Sequence, residues 1–218
     1  MWSGTDPQRK LILIRHGMTR ANSEQRYLGR GEEALSREGI EMLQRKKEQG
    51  LYPEPLRLFA SPMKRCIETA RILYPGKEAE LITEWKEMDF GDFEGKNYKE
   101  LCGNRDYQEW IQSQGTLPFP NGESRKEFLE RCRAGFFKMW SRLEAEDSRI
   151  AAVVHGGTIM AVLSEFYGGE YFDYQVKCGQ GYSGRLAFKA GGGTPQWKEF
   201  RPLSEATVSE VTKGETNG

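Results

Sequence analysis

The stretch Leu11-Ile12-Leu13-Ile14-Arg15-His16-Gly17 runs from four consecutive aliphatic residues straight into an arginine, a histidine and a glycine. Unbroken aliphatics suit a strand covered on both faces, as in a parallel sheet between helices; a half-exposed strand would alternate with polar residues. Two further segments read the same way, Leu56-Arg57-Leu58-Phe59-Ala60 and Ile150-Ala151-Ala152-Val153-Val154. Helical stretches lie between and after them. One runs from Ser36 to about Lys47, with Ile40, Met42 and Leu43 on its apolar side. A second spans 63 to about 73, where Ser61-Pro62 offers a serine N-cap and a proline at the first helical position. The longest opens at the capping box Ser124-x-x-Glu127 and is expected to reach about Glu144, and another covers Gly157 to Phe166.

A short strand near Leu81-Ile82 and a final pair, Leu186-Ala187-Phe188 and Trp197-Lys198-Glu199-Phe200, flank this core, the pair turning at Gly191-Gly192-Gly193. Strands alternating with helices predict an α/β fold: a three-layer α/β/α sandwich with a mostly parallel central sheet. The chain, 1–218, reads as a single domain. Its aromatic-rich segment 84–123 is expected to form a small helical insertion covering the active site, and about 203–218 a loosely ordered tail.

The 218 residues carry 32 Lys+Arg against 32 Asp+Glu, which removes any global electrostatic argument for nucleic acid or anionic membrane as a partner. No apolar run approaches the ~18 residues of a membrane span. The start, Met1-Trp2-Ser3-Gly4-Thr5-Asp6-Pro7, lacks the pattern of a signal peptide, and Cys66, Cys102, Cys132 and Cys178 are widely spaced. A cytoplasmic protein with reduced thiols is expected. With only two histidines, a histidine-rich metal site is not expected.

Those two histidines follow strands. Arg15-His16-Gly17 ends the first, His155-Gly156-Gly157 ends the strand 150–154, and Ser61-Pro62-Met63-Lys64-Arg65 follows the strand 56–60. In open α/β sheets ligands bind at the carboxyl ends of the strands, so parallel strands would bring two histidines and two arginines to one rim. A lone strand-end histidine is more often structural, because imidazole readily bonds backbone carbonyls. Joint placement is what favours chemistry: every histidine lies on the expected rim, and each precedes a glycine that permits close approach to a ligand. The literal G-x-G-x-x-G at Gly179–Gly184 precedes a strand rather than opening a helix after one, so a dinucleotide site fails on context. The aromatics Tyr98, Tyr107, Trp110 and Phe119 suit either a lid or a local core.

Arg15-His16-Gly17-Met18-Thr19-Arg20-Ala21-Asn22 resembles the R-H-G-x-[ST]-x-x-N signature of the histidine phosphatase superfamily, phosphoglycerate mutase-like branch. Ser61-Pro62-Met63-Lys64-Arg65-Cys66-Ile67-Glu68-Thr69-Ala70 resembles that family's S-x-x-x-R-x-x-x-T-A. Glu87-Met88-Asp89-Phe90-Gly91-Asp92-Phe93-Glu94-Gly95 is similar to E-x-x-x-G-x-[WF]-E-G, Pro120–Ser124 to P-x-G-E-S, and Val153–Gly157 to V-x-H-G-G. The likeness extends from about Leu11 to Ala190 and points within the family toward bacterial phosphatases related to α-ribazole phosphatase and the broad-specificity enzymes. Two departures are visible: Glu32-Glu33-Ala34-Leu35-Ser36 stands where relatives commonly have an Asp followed by Pro-Leu-Thr, and Phe93 replaces a tryptophan.

The resemblance implies a metal-independent phosphomonoester hydrolase, without cofactor, acting on a small phosphorylated metabolite through a phosphohistidine. It makes His16 the nucleophile and Glu87 the proton donor, with Asp89 as second choice and Glu94 as a loop-structuring carboxylate. It surrounds the phosphate with Arg15, Asn22, Gly29, Arg65, His155 and Gly156, Gly29 offering its backbone N–H. A cofactor-dependent phosphoglycerate mutase and a non-catalytic phosphoryl-binding protein share the fold. The stretch between Glu87 and His155 is shorter than in typical mutases, and a pure binder has no need of the acid.

Overall fold

The computed structural model describes residues 9–187 and 196–203. Its strands are β1 (Arg9–Arg15), β2 (Arg57–Ala60), β3 (Glu80–Leu81), β4 (Arg149–Val154), β5 (Gly181–Ala187) and β6 (Gln196–Pro202). Its helices are α1 (Arg20–Ser23), α2 (Arg37–Glu48), α3 (Lys64–Leu73), α4 (Tyr98–Leu101), α5 (Arg105–Gln112), α6 (Arg125–Trp140) and α7 (Gly156–Phe166). The six strands form one sheet in the order β3-β2-β4-β1-β5-β6. The first four are mutually parallel; β5 and β6 add an antiparallel edge.

The aliphatic runs occupy the centre, as their two-sided covering demands. Leu11, Leu13, Phe59, Ile150, Ala152 and Val154 point to one face, where they meet α6 and α7 through Phe136, Met139, Ile159, Val162 and Leu163. Ile12, Ile14, Leu58, Ala60, Ala151 and Val153 point to the other, against α2 and α3 through Leu43, Cys66, Ala70 and Leu73. The expected α/β/α sandwich is therefore the fold. Segment 84–123 carries α4 and α5 and builds a third apolar cluster, in which Phe93, Leu101, Tyr107 and Phe119 pack on Phe128 and Cys132 of α6 and Ala161 of α7.

Local expectations were met at some element ends and corrected at others. Ser124 and Glu127 form the reciprocal capping box of α6, which ends at Trp140 rather than Glu144. Past that end the Asp147 carboxylate accepts the Glu144 N–H at 2.8 Å while also pairing with Arg57. Ser61 does not cap α3. That helix starts at Lys64 after Met63, and the Lys64 N–H donates to the Glu32 carboxylate at 2.9 Å. Glu32, one of the departures from the family pattern, thus satisfies a donor of the first turn.

The last strand pair begins earlier than expected. Gly181–Gly184, expected to precede the strand, is the first half of β5 and pairs antiparallel with Leu11–Ile14. Glycine is needed there for close approach rather than for a turn: a Cβ on Gly181 would lie 1.9 Å from the Leu13 carbonyl oxygen, and one on Gly184 2.6 Å from the Trp197 ring. Phe188, the Gly191–Gly193 turn and residues 204–218 of the expected tail lie outside the described residues. Leu203, at the start of that tail, is buried, and its N–H donates to the Gly181 carbonyl at 2.9 Å.

Gly181→Ala should therefore push β5 off β1, destabilising the fold by about 1–3 kcal/mol as overpacking does. For a chain of this length that lowers Tm by roughly 3–10 °C in a thermal melt. An unchanged Tm would mean that the strand pair absorbs the methyl without moving.

Candidate active site

The parallel register aligns the carboxyl ends of three strands. Arg15 pairs with Val154 and Ala60 with Val153, so the next residues, His16, Ser61 and His155, emerge side by side. The sheet continues briefly into the site: the His16 N–H donates to the Val154 carbonyl at 2.9 Å, and the Ser61 N–H to that of Val153 at 3.0 Å.

His16 is buried, with Nδ1 2.7 Å from the carbonyl oxygen of its own neighbour Gly17. Burial, followed by the charges of Arg65 and Arg15, holds its pKa well below the ordinary histidine value. The ring is therefore neutral at neutral pH. Because a carbonyl can only accept, Nδ1 carries the proton and Nε2 keeps its lone pair. Gly17 is itself tied down, its N–H donating to the Thr69 hydroxyl at 2.9 Å while that hydroxyl donates to the Arg65 carbonyl.

His155, fully buried at the N-terminus of α7, meets His16 edge to face with ring centres 5.2 Å apart. Burial, then Arg65 and His16, depress its pKa as well. Its Nε2 lies 2.8 Å from the Ser61 hydroxyl, and the Cys66 sulfur is 3.5 Å from the same nitrogen. This bond is the use the fold makes of Ser61 in place of helix capping. Burial pushes the Cys66 thiol far up, which leaves it an inert packing group.

Arg15 and Arg65 supply the positive charge. Arg65 has no solvent exposure, and among the described residues no carboxylate pairs with either arginine. Backbone carbonyls position them instead. Arg65 donates to Gly29 at 2.8 Å and Gly31 at 2.9 Å, and Arg15 to Val176 at 2.7 Å. Among the described residues the Nε of each is buried without a partner. The loop that holds Arg65 is held in turn by Glu94, whose carboxylate accepts the N–H groups of Gly29 and Gly31 at 2.9 Å.

This corrects the expectation for Gly29. Its N–H, expected to face substrate, is committed to Glu94, and its carbonyl serves Arg65. Glycine is required because a Cβ would lie 2.1 Å from the Met88 carbonyl oxygen. Asn22 sits at the rim beside Arg15. Its side-chain oxygen accepts the Thr19 N–H at 3.1 Å, so the amide nitrogen is what it can offer an anion. Gly156 opens α7 directly against Arg15, whose guanidinium lies 3.5 Å from where a Cβ would be.

Glu87 enters from the segment before α4 and is buried. Desolvation raises its pKa, against the opposing pull of the Met88 N–H and of Arg65 and Arg15. The Met88 N–H donates to Oε1 at 2.9 Å and the Gly157 N–H to Oε2 at 3.4 Å. A Cβ on Gly157 would strike that carboxylate at 2.4 Å, so the second glycine after His155 makes room for the acid. Asp89 instead accepts the Gly91 N–H at 2.9 Å and structures its own turn.

Arg15, Glu87, Gly156 and Gly157 form the floor of a cavity of about 260 Å³ walled by aromatic rings of segment 84–123 and of residues 171–172. Trp110 and Phe119 both line it and pack in the cluster beneath, while Tyr107 is buried in the cluster and Tyr98 is exposed. Lid and local core are thus one structure. Sequence reading did not single out Arg125, Tyr171 or the Val176 carbonyl. Only Arg125 had a legible signal, its place one residue past the helix cap in the P-x-G-E-S block; a positioning carbonyl leaves none.

A buried imidazole with a depressed pKa, two guanidiniums paired with no carboxylate among the described residues, and a carboxylate whose pKa burial raises are groups suited to phosphoryl transfer. Comparison with known proteins agrees. Family models match residues 11–197 to the histidine phosphatase superfamily (branch 1). The chain is 29% identical over 165 residues to the adenosylcobalamin/alpha-ribazole phosphatase of Escherichia coli, covering 73% of this chain and 79% of that one. It is 25% identical over 159 residues to the putative phosphoserine phosphatase 2 of Hydrogenobacter thermophilus, covering 71% and 77%. Among solved structures, a phosphoglycerate mutase from Thermus thermophilus superposes with a TM-score of 0.62 at 28% identity, over 89% of this chain and 98% of that one. A putative alpha-ribazole-5'-P phosphatase from Escherichia coli, at 24% identity, shares the fold with a TM-score of 0.74 over 87% and 94%. With its motifs converging on one rim and the family match spanning nearly the whole described chain, this protein is an enzyme of the histidine phosphatase superfamily, branch 1.

Proposed function

We propose that the protein is a metal-independent phosphomonoester hydrolase that works through a phosphohistidine on a small phosphorylated metabolite in the cytoplasm. The observation that carries this reading is the pair Arg15 and Arg65, positioned by carbonyls and, among the described residues, paired with no carboxylate beside a neutral His16. Buried positive charge of this kind is satisfied by an anionic ligand. Phosphoryl transfer depends mainly on positioning and neutralising equatorial oxygens, which planar guanidinium forks do well.

In the proposed cycle the His16 Nε2 lone pair attacks phosphorus as the bond to the leaving oxygen breaks. Glu87 passes its proton to that oxygen. A water then attacks phosphorus, giving its proton to the Glu87 carboxylate, and the P–N bond breaks to regenerate neutral His16 and inorganic phosphate. His155, neutral and oriented by Ser61, serves as a hydrogen-bonding partner of a phosphoryl oxygen, with Asn22 and the Gly156 N–H as further donors. The mutase reading receives less support. A mutase must hold a second anionic group, and besides Arg15 the cavity has Arg125 as its single cation among the described residues.

Phosphate release from p-nitrophenyl phosphate and simple alkyl phosphates should proceed in EDTA and vanish in His16→Ala. Release that survives His16→Ala would remove the nucleophile, and interconversion of 2- and 3-phosphoglycerate without phosphate release would establish the mutase.

Glu87→Gln should lower kcat/KM about 10²–10⁴-fold for alkyl phosphates, the range of general acid catalysis. The loss should be much smaller for p-nitrophenyl phosphate, whose leaving group departs without a proton. Equal losses on both substrates would deny the acid role.

The active form needs His16 neutral and Glu87 protonated. Because the His16 pKa is depressed and that of Glu87 raised, kcat/KM should fall on the acid side below pH 6.5. On the alkaline side it should fall through a value above the ordinary carboxylate range. Glu87→Gln should abolish the alkaline limb on the same substrate, and a limb that persists unchanged would assign it to another group.

A further inference from the structure

The cavity above Arg15 and Glu87 is walled by aromatic rings. Tyr27, Phe90, Trp110 and Phe119 line one side, Tyr171 and Phe172 the other. The first four support one another, with ring centres 5.2 Å apart for Tyr27–Phe90, 5.0 Å for Phe90–Phe119 and 4.8 Å for Trp110–Phe119. The wall is therefore formed before any ligand arrives. Arg125 joins the two sides. Its guanidinium lies over the rings of Phe172 at 4.9 Å and Tyr171 at 5.4 Å, and donates to the Gln114 carbonyl at 2.9 Å. Gly115, at φ +67, lets the lid close on this strap: a Cβ there would lie 2.9 Å from Arg125 and 3.0 Å from Trp110.

We infer that the leaving group this site favours is a planar aromatic ring system joined close to the phosphate ester. The inference rests on the phosphomonoesterase reading above and adds the substrate class. Rings set edge to face, as Tyr27–Phe90 at 64°, Phe90–Phe119 at 79° and Tyr171–Phe172 at 81° are, offer both faces and edges to a bound ring, the contacts aromatic pairs prefer. A polyol would fare poorly, because the two ring hydroxyls on these walls are already engaged and the Trp110 indole N–H, buried without a partner among the described residues, can only donate. The Tyr27 hydroxyl meets that of Tyr107 at 3.4 Å, the Tyr171 hydroxyl faces the Gly157 carbonyl at 3.5 Å, and Arg125 is held by Gln114. Sugar hydroxyls brought here would lose water without regaining partners.

Benzylphosphonate and ethylphosphonate, which cannot be hydrolysed, test this by calorimetric titration of the whole protein. The benzyl compound should bind about tenfold to a hundredfold more tightly, the factor that burying one phenyl-sized side chain confers. Equal affinities overturn the inference. Phe172→Ala, at a residue 48% exposed and hence able to fold without its ring, should reduce that ratio severalfold, as should Trp110→Ala if its melt shows a folded protein. A ratio unmoved in folded variants also overturns it.

Turnover gives the parallel comparison. Benzyl and ethyl phosphate both release alkoxides, so a higher kcat/KM for benzyl reports the wall rather than leaving-group chemistry, and a preference for glycerol 3-phosphate overturns the inference. Ring-selective phosphonate binding without hydrolysis of any ester would sink the hydrolase reading and leave the aromatic subsite standing. Hydrolysis without ring preference would do the reverse.

Discussion

Everything at the rim depends on a buried guanidinium that forms an ion pair with no carboxylate among the described residues. Arg65 has no solvent exposure and is held by the carbonyls of Gly29 and Gly31, which fix its geometry without cancelling its charge. A carboxylate in their place would neutralise the site and compete with any anionic ligand. The uncancelled charge reaches the neighbouring groups: it depresses both histidines and pulls down on Glu87, whose pKa stays raised because desolvation outweighs that pull. One field thus acts on all three ionisable groups around it and in the same direction.

That field can exist only because the backbone delivers its holders accurately. Glu94 anchors the N–H groups of the glycine loop, the loop's carbonyls grip Arg65, and the Thr69 hydroxyl on the same helix links Arg65 to Gly17 and so to His16. Each link is a hydrogen bond to main chain, which has few rotamers to lose. Glycine recurs for a related reason. At Gly29, Gly157 and Gly181 a Cβ would meet a carbonyl or carboxylate oxygen well inside contact distance, so these positions are set by close approach rather than by turn geometry.

Much of this was legible in the chain and some was not, for identifiable reasons. The aliphatic runs at 11–14 and 150–154 announced buried parallel strands, and the rule that ligands gather at their carboxyl ends placed His16, His155 and Arg15 together. Ser124-x-x-Glu127 announced a helix start because both halves of its hydrogen-bond exchange are local. Ser61 carried an equally good local signal and misled, because its hydroxyl bonds a histidine 94 residues away and the cap of α3 comes from Glu32. Gly29 misled for the same reason, its N–H being taken by a carboxylate 65 residues on.

The sheet, its layers, the family and the set of groups that can carry phosphoryl chemistry are legible in the chain, because periodicity, caps and motif spacing are written within a few residues of one another. Tertiary structure alone decided how those groups are used. It made Ser61 an orienting partner, Gly29 a brace for Arg65, and the aromatic segment both core and cavity wall. The physical reason is that hydrogen-bond partnership and desolvation depend on which distant residues meet, and no local pattern of side chains records that meeting.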